Sequence, residues 1–236
     1  MIKETPPLEL RHELKYFINE GDAAMLARMM DHVLWRDSNA DENGEYHIRS
    51  LYFDDMTNSA YYDKINGVRD RDKYRIRIYN FSDRVIRLER KRKRGDLINK
   101  SSAQISSDLC AQIISGDTSG LEKANSQLLR ELFLQMTTHM LAPAVIVDYV
   151  RQAFVHPAEN TRVTLDKQLR SGLFGKDMHS LFNPNLPTVP PLDAPQTILE
   201  IKYDRRLPDM IPGLIACAQC TRSAISKYTL CRRYEF

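Results

Sequence analysis

The chain has 236 residues, 42% of them hydrophobic and 28% charged, with a formal net charge of +3. That is long enough to bury a full core in one domain over residues 1–236, but too mildly basic for anion affinity to come from total charge instead of clustering. There is no apolar signal-peptide core and no run approaching the roughly eighteen apolar residues that cross a bilayer, so a cytoplasmic protein with no membrane segment of its own is expected.

Residues Leu8 to Ile18 alternate, with Glu9, Arg11, Glu13 and Lys15 on one face, and predict a strand. Asp22 is placed as the cap of a helix carrying Met25, Leu26, Met29, Met30, Val33 and Leu34 on one side. A polar loop over Asp37–Gly44 leads to a strand over Tyr46–Asp54 and a connector through Asn58, Tyr61, Tyr62 and Lys64. Two long strands, Arg71–Phe81 and Arg84–Arg94, are joined at Ser82-Asp83, and Gly95-Asp96 turns the chain into Leu97–Ile105. Helices are predicted over Ser107–Ser115 and Leu121–His139, followed by strands over Ala144–Phe154 and Arg162–Leu169. The segment Asn183–Pro195 holds five of the eleven prolines and predicts a loop. A strand over Ile198–Asp204, a helix over Asp209–Arg222 and a final strand over Ile225–Tyr234 complete the order.

Charge gathers on single faces of these strands. Lys73, Arg75, Arg77 and Tyr79 alternate with Tyr74, Ile76 and Ile78, and Arg87, Glu89, Lys91 and Lys93 oppose Ile86 and Leu88. Residues 84–100 hold eight Lys or Arg against two acids, Glu89 and Asp96. About eight antiparallel strands with a few helices indicate an α+β fold, an eight-stranded β-barrel with flanking helices. The helices need apolar surface, and the apolar faces lie opposite the charges, so the charges should face one another across the interior. Two like charges about 4 Å apart repel by roughly 4 kcal/mol at an effective dielectric near 20, so a polyanion is the natural content of such a lumen. Arg grips phosphate through two N–H groups and Lys supplies a point charge.

Other chemistries find little support. No Gly-x-x-x-x-Gly-Lys-Ser/Thr loop or Gly-x-Gly-x-x-Gly occurs, and the six histidines show no ligand spacing. The four cysteines, Cys110, Cys217, Cys220 and Cys231, are too few for a disulfide scaffold. Cys217-Ala-Gln-Cys220 has redox or zinc spacing but no second pair, and is taken as packing thiols.

Six segments in order, Arg11-His-Glu-Leu-Lys-Tyr16, Ser50-Leu-Tyr-Phe-Asp54, Tyr74-Arg-Ile-Arg-Ile-Tyr79, Leu88-Glu-Arg-Lys91, Leu199-Glu-Ile-Lys-Tyr203 and Ser226-Lys-Tyr228, resemble the VTC domain. This is the polyphosphate polymerase branch of the triphosphate tunnel metalloenzymes. The resemblance implies a tunnel barrel that binds ATP and, with Mn²⁺ or Mg²⁺, transfers its γ-phosphoryl group onto polyphosphate, releasing ADP. By that resemblance Lys15, Arg75, Arg77, Lys91, Arg151, Arg162, Lys202 and Lys227 grip phosphate, with Lys64 and Lys100 as further matches. Glu200 matches the metal ligand, and Tyr149 and Ser226 match polar lumen contacts. Glu89 and Asp166 also point inward by alternation, either to orient the cations or to share the metal.

Tunnel hydrolases usually open with Glu-x-Glu-x-Lys, whereas here Arg11 replaces the first Glu, which favours polymerisation over hydrolysis. Lys64 stands where eukaryotic relatives carry Arg. Those relatives also carry an SPX domain and membrane helices, both absent from this sequence, so any membrane partner would be a separate chain. Two alternatives stay open: a tunnel hydrolase of triphosphate or nucleoside triphosphates, and a non-enzymatic module binding RNA or polyphosphate through Arg84–Arg94. No nucleic-acid partner is expected, because the basic run lacks stacking aromatics.

Overall fold

The computed structural model describes residues 4–5, 12–95, 97–172 and 174–233. The order begins β1 (Glu4–Thr5), β2 (His12–Ile18), α1 (Glu20–Asp31), β3 (Trp35–Arg36), β4 (Glu45–Asp54), α2 (Ser59–Ile65), β5 (Arg71–Tyr79), β6 (Ser82–Arg94) and β7 (Leu97–Ile105). It continues α3 (Ser107–Ser115), α4 (Gln127–Thr138), β8 (Ala142–His156), β9 (Thr161–Gly172), α5 (Met178–Phe182), β10 (Thr188–Val189), β11 (Thr197–Tyr203), α6 (Met210–Ala216), β12 (Thr221–Arg222) and α7 (Lys227–Arg232). Eight long antiparallel strands form one sheet in the order β7-β6-β5-β4-β8-β9-β11-β2. Among the described residues no ladder joins β7 to β2. The sheet instead curls until Lys91 Nζ on β6 stands 2.8 Å from Glu13 Oε2 on β2, so side chains bridge the gap.

The alternation decides which face is which. On β4 to β7 the outward residues Leu51, Phe53, Tyr74, Ile76, Ile78, Ile86, Leu88 and Ala103 are buried under α3, α4 and α5. Outward residues of β2, β8, β9 and β11, among them Ile18, Phe154, Leu165 and Leu199, are buried under α1 and α6. A fully buried aliphatic or aromatic side chain contributes about 1.5–3 kcal/mol. The apolar outer faces therefore hold the sheet, which frees the inner face to carry charge. Among the described residues no helix is long and apolar enough to cross a membrane.

The largest departure from the sequence reading is the C-terminal segment. Residues 225–234 were expected to form a strand, but Lys227–Arg232 is helix α7, with the Ser226 side chain accepting from the Thr229 N–H at 3.3 Å; Tyr234 lies outside the described residues. Ile225, Tyr228 and Cys231 recur every third residue, so a helix gathers them on one side. They pack on inward residues Tyr52, Val147, Tyr149 and Leu169. Part of the lumen is thus apolar and filled by the chain itself.

Smaller differences have local causes. The first long strand begins at His12, and Leu8 to Arg11 fall outside the described residues. Asn19, not Asp22, caps α1, because its side chain accepts the Asp22 N–H at 2.8 Å. The connector after Asp54 is helix α2, whose first amides, Ala60 N–H and Tyr61 N–H, donate to the Asp54 carboxylate at 2.8 and 3.2 Å. The β5–β6 turn falls at Asn80-Phe81, both at positive φ (50° and 55°), the two-residue hairpin geometry that matches strand twist. The helix expected from Leu121 starts at Gln127, where Ser126 caps it. The helix expected over Asp209–Arg222 ends at Ala216, because Thr221 and Arg222 pair with the free edge of β2 as β12. Cys217 is consequently exposed rather than a packing thiol, and all four cysteines are free.

Candidate functional site

Cross-strand register builds the inner surface. Tyr52 opposes Arg75, Arg75 opposes Glu89, and Glu89 opposes Ser102, while Arg151 opposes Asp166 and Glu200 opposes Lys15. Directly opposed residues share a face, so one face gathers charges from distant parts of the chain.

Three carboxylate centres organise the cations. Glu89 is 2% exposed and accepts from Arg75 Nε at 2.7 Å and Lys100 Nζ at 2.7 Å, with Arg77 Nη1 3.9 Å away. Burial alone would raise its pKa, but Arg75, Arg77 and Lys100 outweigh burial and hold the carboxyl well below the usual range. Asp166 is fully buried and accepts from Arg151 Nε and Nη2 at 2.6 and 2.8 Å and from Lys227 Nζ at 2.5 Å. Against burial, those two cations bring it to about 2.

The third centre is a pair. Lys15 Nζ lies 3.1 Å from Glu13 and 3.9 Å from Glu200, Lys202 Nζ lies 2.5 Å from Glu200, and Lys91 reaches Glu13. The Glu13 and Glu200 carboxylates lie near each other and share the Lys15 ammonium between them. Burial and the neighbouring carboxylate push the Glu13 pKa up, yet Lys15 and Lys91 bring it below its ordinary value. Lys91 keeps 46% of its side chain accessible although protein surrounds it, as befits a group lining an open passage.

The remaining contacts fix orientation. Arg77 donates to Ser50 Oγ at 3.2 Å and Tyr149 Oη at 3.1 Å. Arg75 donates to Tyr52 Oη at 2.6 Å, and Arg162 pairs with Asp37 while donating to Tyr46 Oη at 2.9 Å.

The family is decided by the whole chain rather than by one segment. The VTC domain model matches residues 10–236. The chain belongs to the VTC domain family. In architecture this VTC domain is similar to a putative adenylyl cyclase from Hippeastrum described as having a dominant triphosphatase activity, with a TM-score of 0.56, 14% identity and 95% of each chain covered. It is also similar to a putative adenylate cyclase from Bacillus halodurans, with a TM-score of 0.50, 12% identity, and 84% of this chain and 82% of that one covered. At such identity the likeness establishes the tunnel fold alone. No curated protein matches the chain.

The VTC domain brings Lys15, Arg75, Arg77, Lys91, Lys100, Arg151, Arg162, Lys202, Lys227, Tyr149 and Glu200 onto one inner surface. Ser226 serves first as the cap of α7 and second as a neighbour of the lumen, 3.4 Å from Lys73 Nζ. Lys64 sits on the last turn of α2, where burial and the charges of Arg71, Lys15 and Lys93 lower its pKa.

Sequence reasoning placed Lys73 on the cationic face but gave it no role. It forms no ion pair among those of the described residues, and its Nζ lies 4.7 Å over the Tyr228 ring. Burial, then Arg71 and Lys64, push its pKa down to about 7. Its alternation with Arg75 and Arg77 was the available signal.

Carboxylates that could share a divalent metal come together on this surface at Glu13 and Glu200. Among the described residues no three His, Cys, Asp or Glu side chains gather closely enough to hold a metal on their own. Glu13 and Glu200 do converge, and magnesium-type ions are commonly held by one or two carboxylates with substrate phosphates and water completing the shell. Glu89 and Asp166 are each paired with cations, as Glu13 and Glu200 are with Lys15, Lys91 and Lys202.

Proposed function

We propose that this VTC domain is a metal-dependent polyphosphate polymerase that uses ATP as donor. The observation that carries the reading is the pairing of Glu13, Glu89, Asp166 and Glu200 with cations: Glu89 and Asp166 are held ionised far below neutrality and are weak bases. Hydrolysis asks a side chain to activate water. A polyphosphate terminus is already an anionic nucleophile and needs no such base.

The terminal oxygen of the acceptor chain attacks the γ-phosphorus. The bond between that phosphorus and the β–γ bridging oxygen breaks, and ADP leaves with the electron pair. Arg75, Arg77 and Lys91 hold the transferred group and oppose the charge that spreads over its oxygens. Arg151, Arg162, Lys202 and Lys227 hold the flanking phosphates, and Tyr149, Lys100 and Ser226 complete the lining. A divalent ion such as Mn²⁺ or Mg²⁺, held by Glu200 with Glu13, would supply further charge neutralisation across phosphate oxygens. Lys64, Arg71 and Lys73 form no ion pair among the described residues and leave one flank of the tunnel cationic, which suits a chain of phosphates longer than one nucleotide. The donor and metal chemistry fit a cytoplasmic location.

The test is the fate of label from γ-labelled ATP incubated with the protein and Mn²⁺. Label in an acid-labile ladder of chains establishes the polymerase. Label released only as phosphate assigns the tunnel to hydrolysis, the activity named for the similar Hippeastrum protein.

A further inference from the structure

One row of directly opposed residues crosses five strands at an end of the tunnel. Trp35 of β3 opposes Val155 of β8, Val155 opposes Arg162 of β9, Arg162 opposes Lys202 of β11, and Lys202 opposes Glu13 of β2. Opposed residues share a face, so Trp35 stands on the same face as the cations Arg162 and Lys202. It also stands at the rim. The β4 ladder with β8 begins at Glu45 and Gln152, and β3 takes the next stretch of β8, Phe154 and Val155.

The indole is the chain's only tryptophan and is 66% exposed. The ribbon that carries it is held firmly. Arg36 Nε donates to Asp31 at 2.6 Å and Nη1 to the Asn43 carbonyl at 2.9 Å, its guanidinium lies 5.6 Å over the Phe154 ring, and the Asp37 N–H donates to the Ala153 carbonyl at 2.9 Å. A rigid backbone thus presents an open aromatic surface that contributes little to the core. A cleft of about 300 Å³ lies beside it, with Trp35, Val155, His156, Pro157 and Arg162 among its walls. One wall is flat and apolar; another is a guanidinium.

We propose that this cleft is a nucleobase subsite, in which the base of a nucleoside triphosphate stacks on Trp35 while its phosphates follow Arg162 and Lys202 into the tunnel. The proposal rests on the reading of the tunnel as a site for nucleoside triphosphates. It adds that recognition extends beyond the phosphates and that the donor enters from the Trp35 end, with its γ-phosphate leading toward Arg75, Arg77 and Lys91. Bases stack on exposed aromatic rings with little regard to sequence, so purine triphosphates other than ATP should also engage the indole.

The experiment titrates the full chain in EDTA, where turnover is suppressed, with ATP and separately with inorganic tripolyphosphate. It follows indole fluorescence together with calorimetric affinity. ATP should quench the fluorescence; tripolyphosphate should displace ATP and restore the signal. Trp35→Ala should weaken ATP about tenfold and leave tripolyphosphate affinity unchanged, and Trp35→Phe should recover most of the loss. If tripolyphosphate quenches as ATP does, or if Trp35→Ala binds ATP as tightly as the wild type, the nucleobase subsite is overturned while the tunnel reading stands. If the wild-type chain binds neither anion, both readings fall together.

Discussion

Two arginine–carboxylate pairs on neighbouring strands share one geometry and serve opposite faces of the sheet. Arg49 on β4 opposes Asp148 on β8, with Nε and Nη2 each 2.7 Å from a carboxylate oxygen. Arg151 on β8 opposes Asp166 on β9 at 2.6 and 2.8 Å. The first pair faces outward beneath α5. Its remaining Nη1 donates to the carbonyls of Ser180 and Asn183 at 2.9 and 2.6 Å, and its guanidinium lies 4.7 Å over the Phe81 ring. The second pair faces the tunnel, where Lys227 joins Asp166 and the surrounding cations outnumber the acids. Burial and bidentate contact are common to both. What separates a structural pair from a binding surface is whether the neighbouring donors are used up inside the protein or left over for a ligand.

That distinction is best broken at its structural side. Arg49→Ala strands Asp148 without its counter-ion, and breaking a buried pair costs about 3–5 kcal/mol. The melting temperature should fall by on the order of 10 °C, as calorimetry would read; an unchanged midpoint would remove the contrast.

On the lumen side the expected loss is in chemistry. Arg77→Ala relieves like-charge crowding around Arg75, so the midpoint should move by no more than about 3 °C. Incorporation of γ-label should drop at least about 100-fold, the scale for removing one donor from a developing anion. A drop in melting temperature matching that of Arg49→Ala would show that the tunnel cations are structural after all.

The leftover charge should also be visible in pH. Lys73 titrates near 7 in the folded protein and near 10.4 when unfolded. Between those values the unfolded chain binds more protons than the folded one, so this group makes stability rise with pH from about 7 to 10 and disfavours the fold below 7. Chemical denaturation at pH 7 and 9 should show a gain of order 1 kcal/mol in the wild type that Lys73→Met lacks. Bound polyphosphate should stabilise the charged form and cancel the slope.

The smallest effect is expected at the join between fold and lumen. Ser226→Ala removes the cap of α7 and the hydroxyl 3.4 Å from Lys73, a loss of about 1 kcal/mol and a few degrees of melting temperature. A loss as large as that of Arg49→Ala would mean that α7 anchors the whole barrel.

Much of this was legible in the residues. Alternation with a period of two separates Lys73, Arg75 and Arg77 from Tyr74, Ile76 and Ile78, and the structure buries the second set under α3 and α4 while the first lines the tunnel. Such a pattern is local, set by strand pleat alone. The segment from Ile225 was not legible in the same way, since its apolar residues suit a strand and a helix almost equally and the lumen wall selected the helix. Nor was Trp35, an isolated residue whose meaning comes only from the row it joins.

Sequence alone determined which strands carry charge, which faces need a helical cover, and membership of a family, because side-chain alternation and motif order are written along the chain. Tertiary structure alone decided which carboxylate each cation meets, where α7 inserts, and that Lys73 forms no ion pair among the described residues. Those outcomes depend on register between strands far apart in sequence, Arg49 with Asp148 or Lys15 with Glu200, and a shift of one residue would have turned every one of those side chains to the other face.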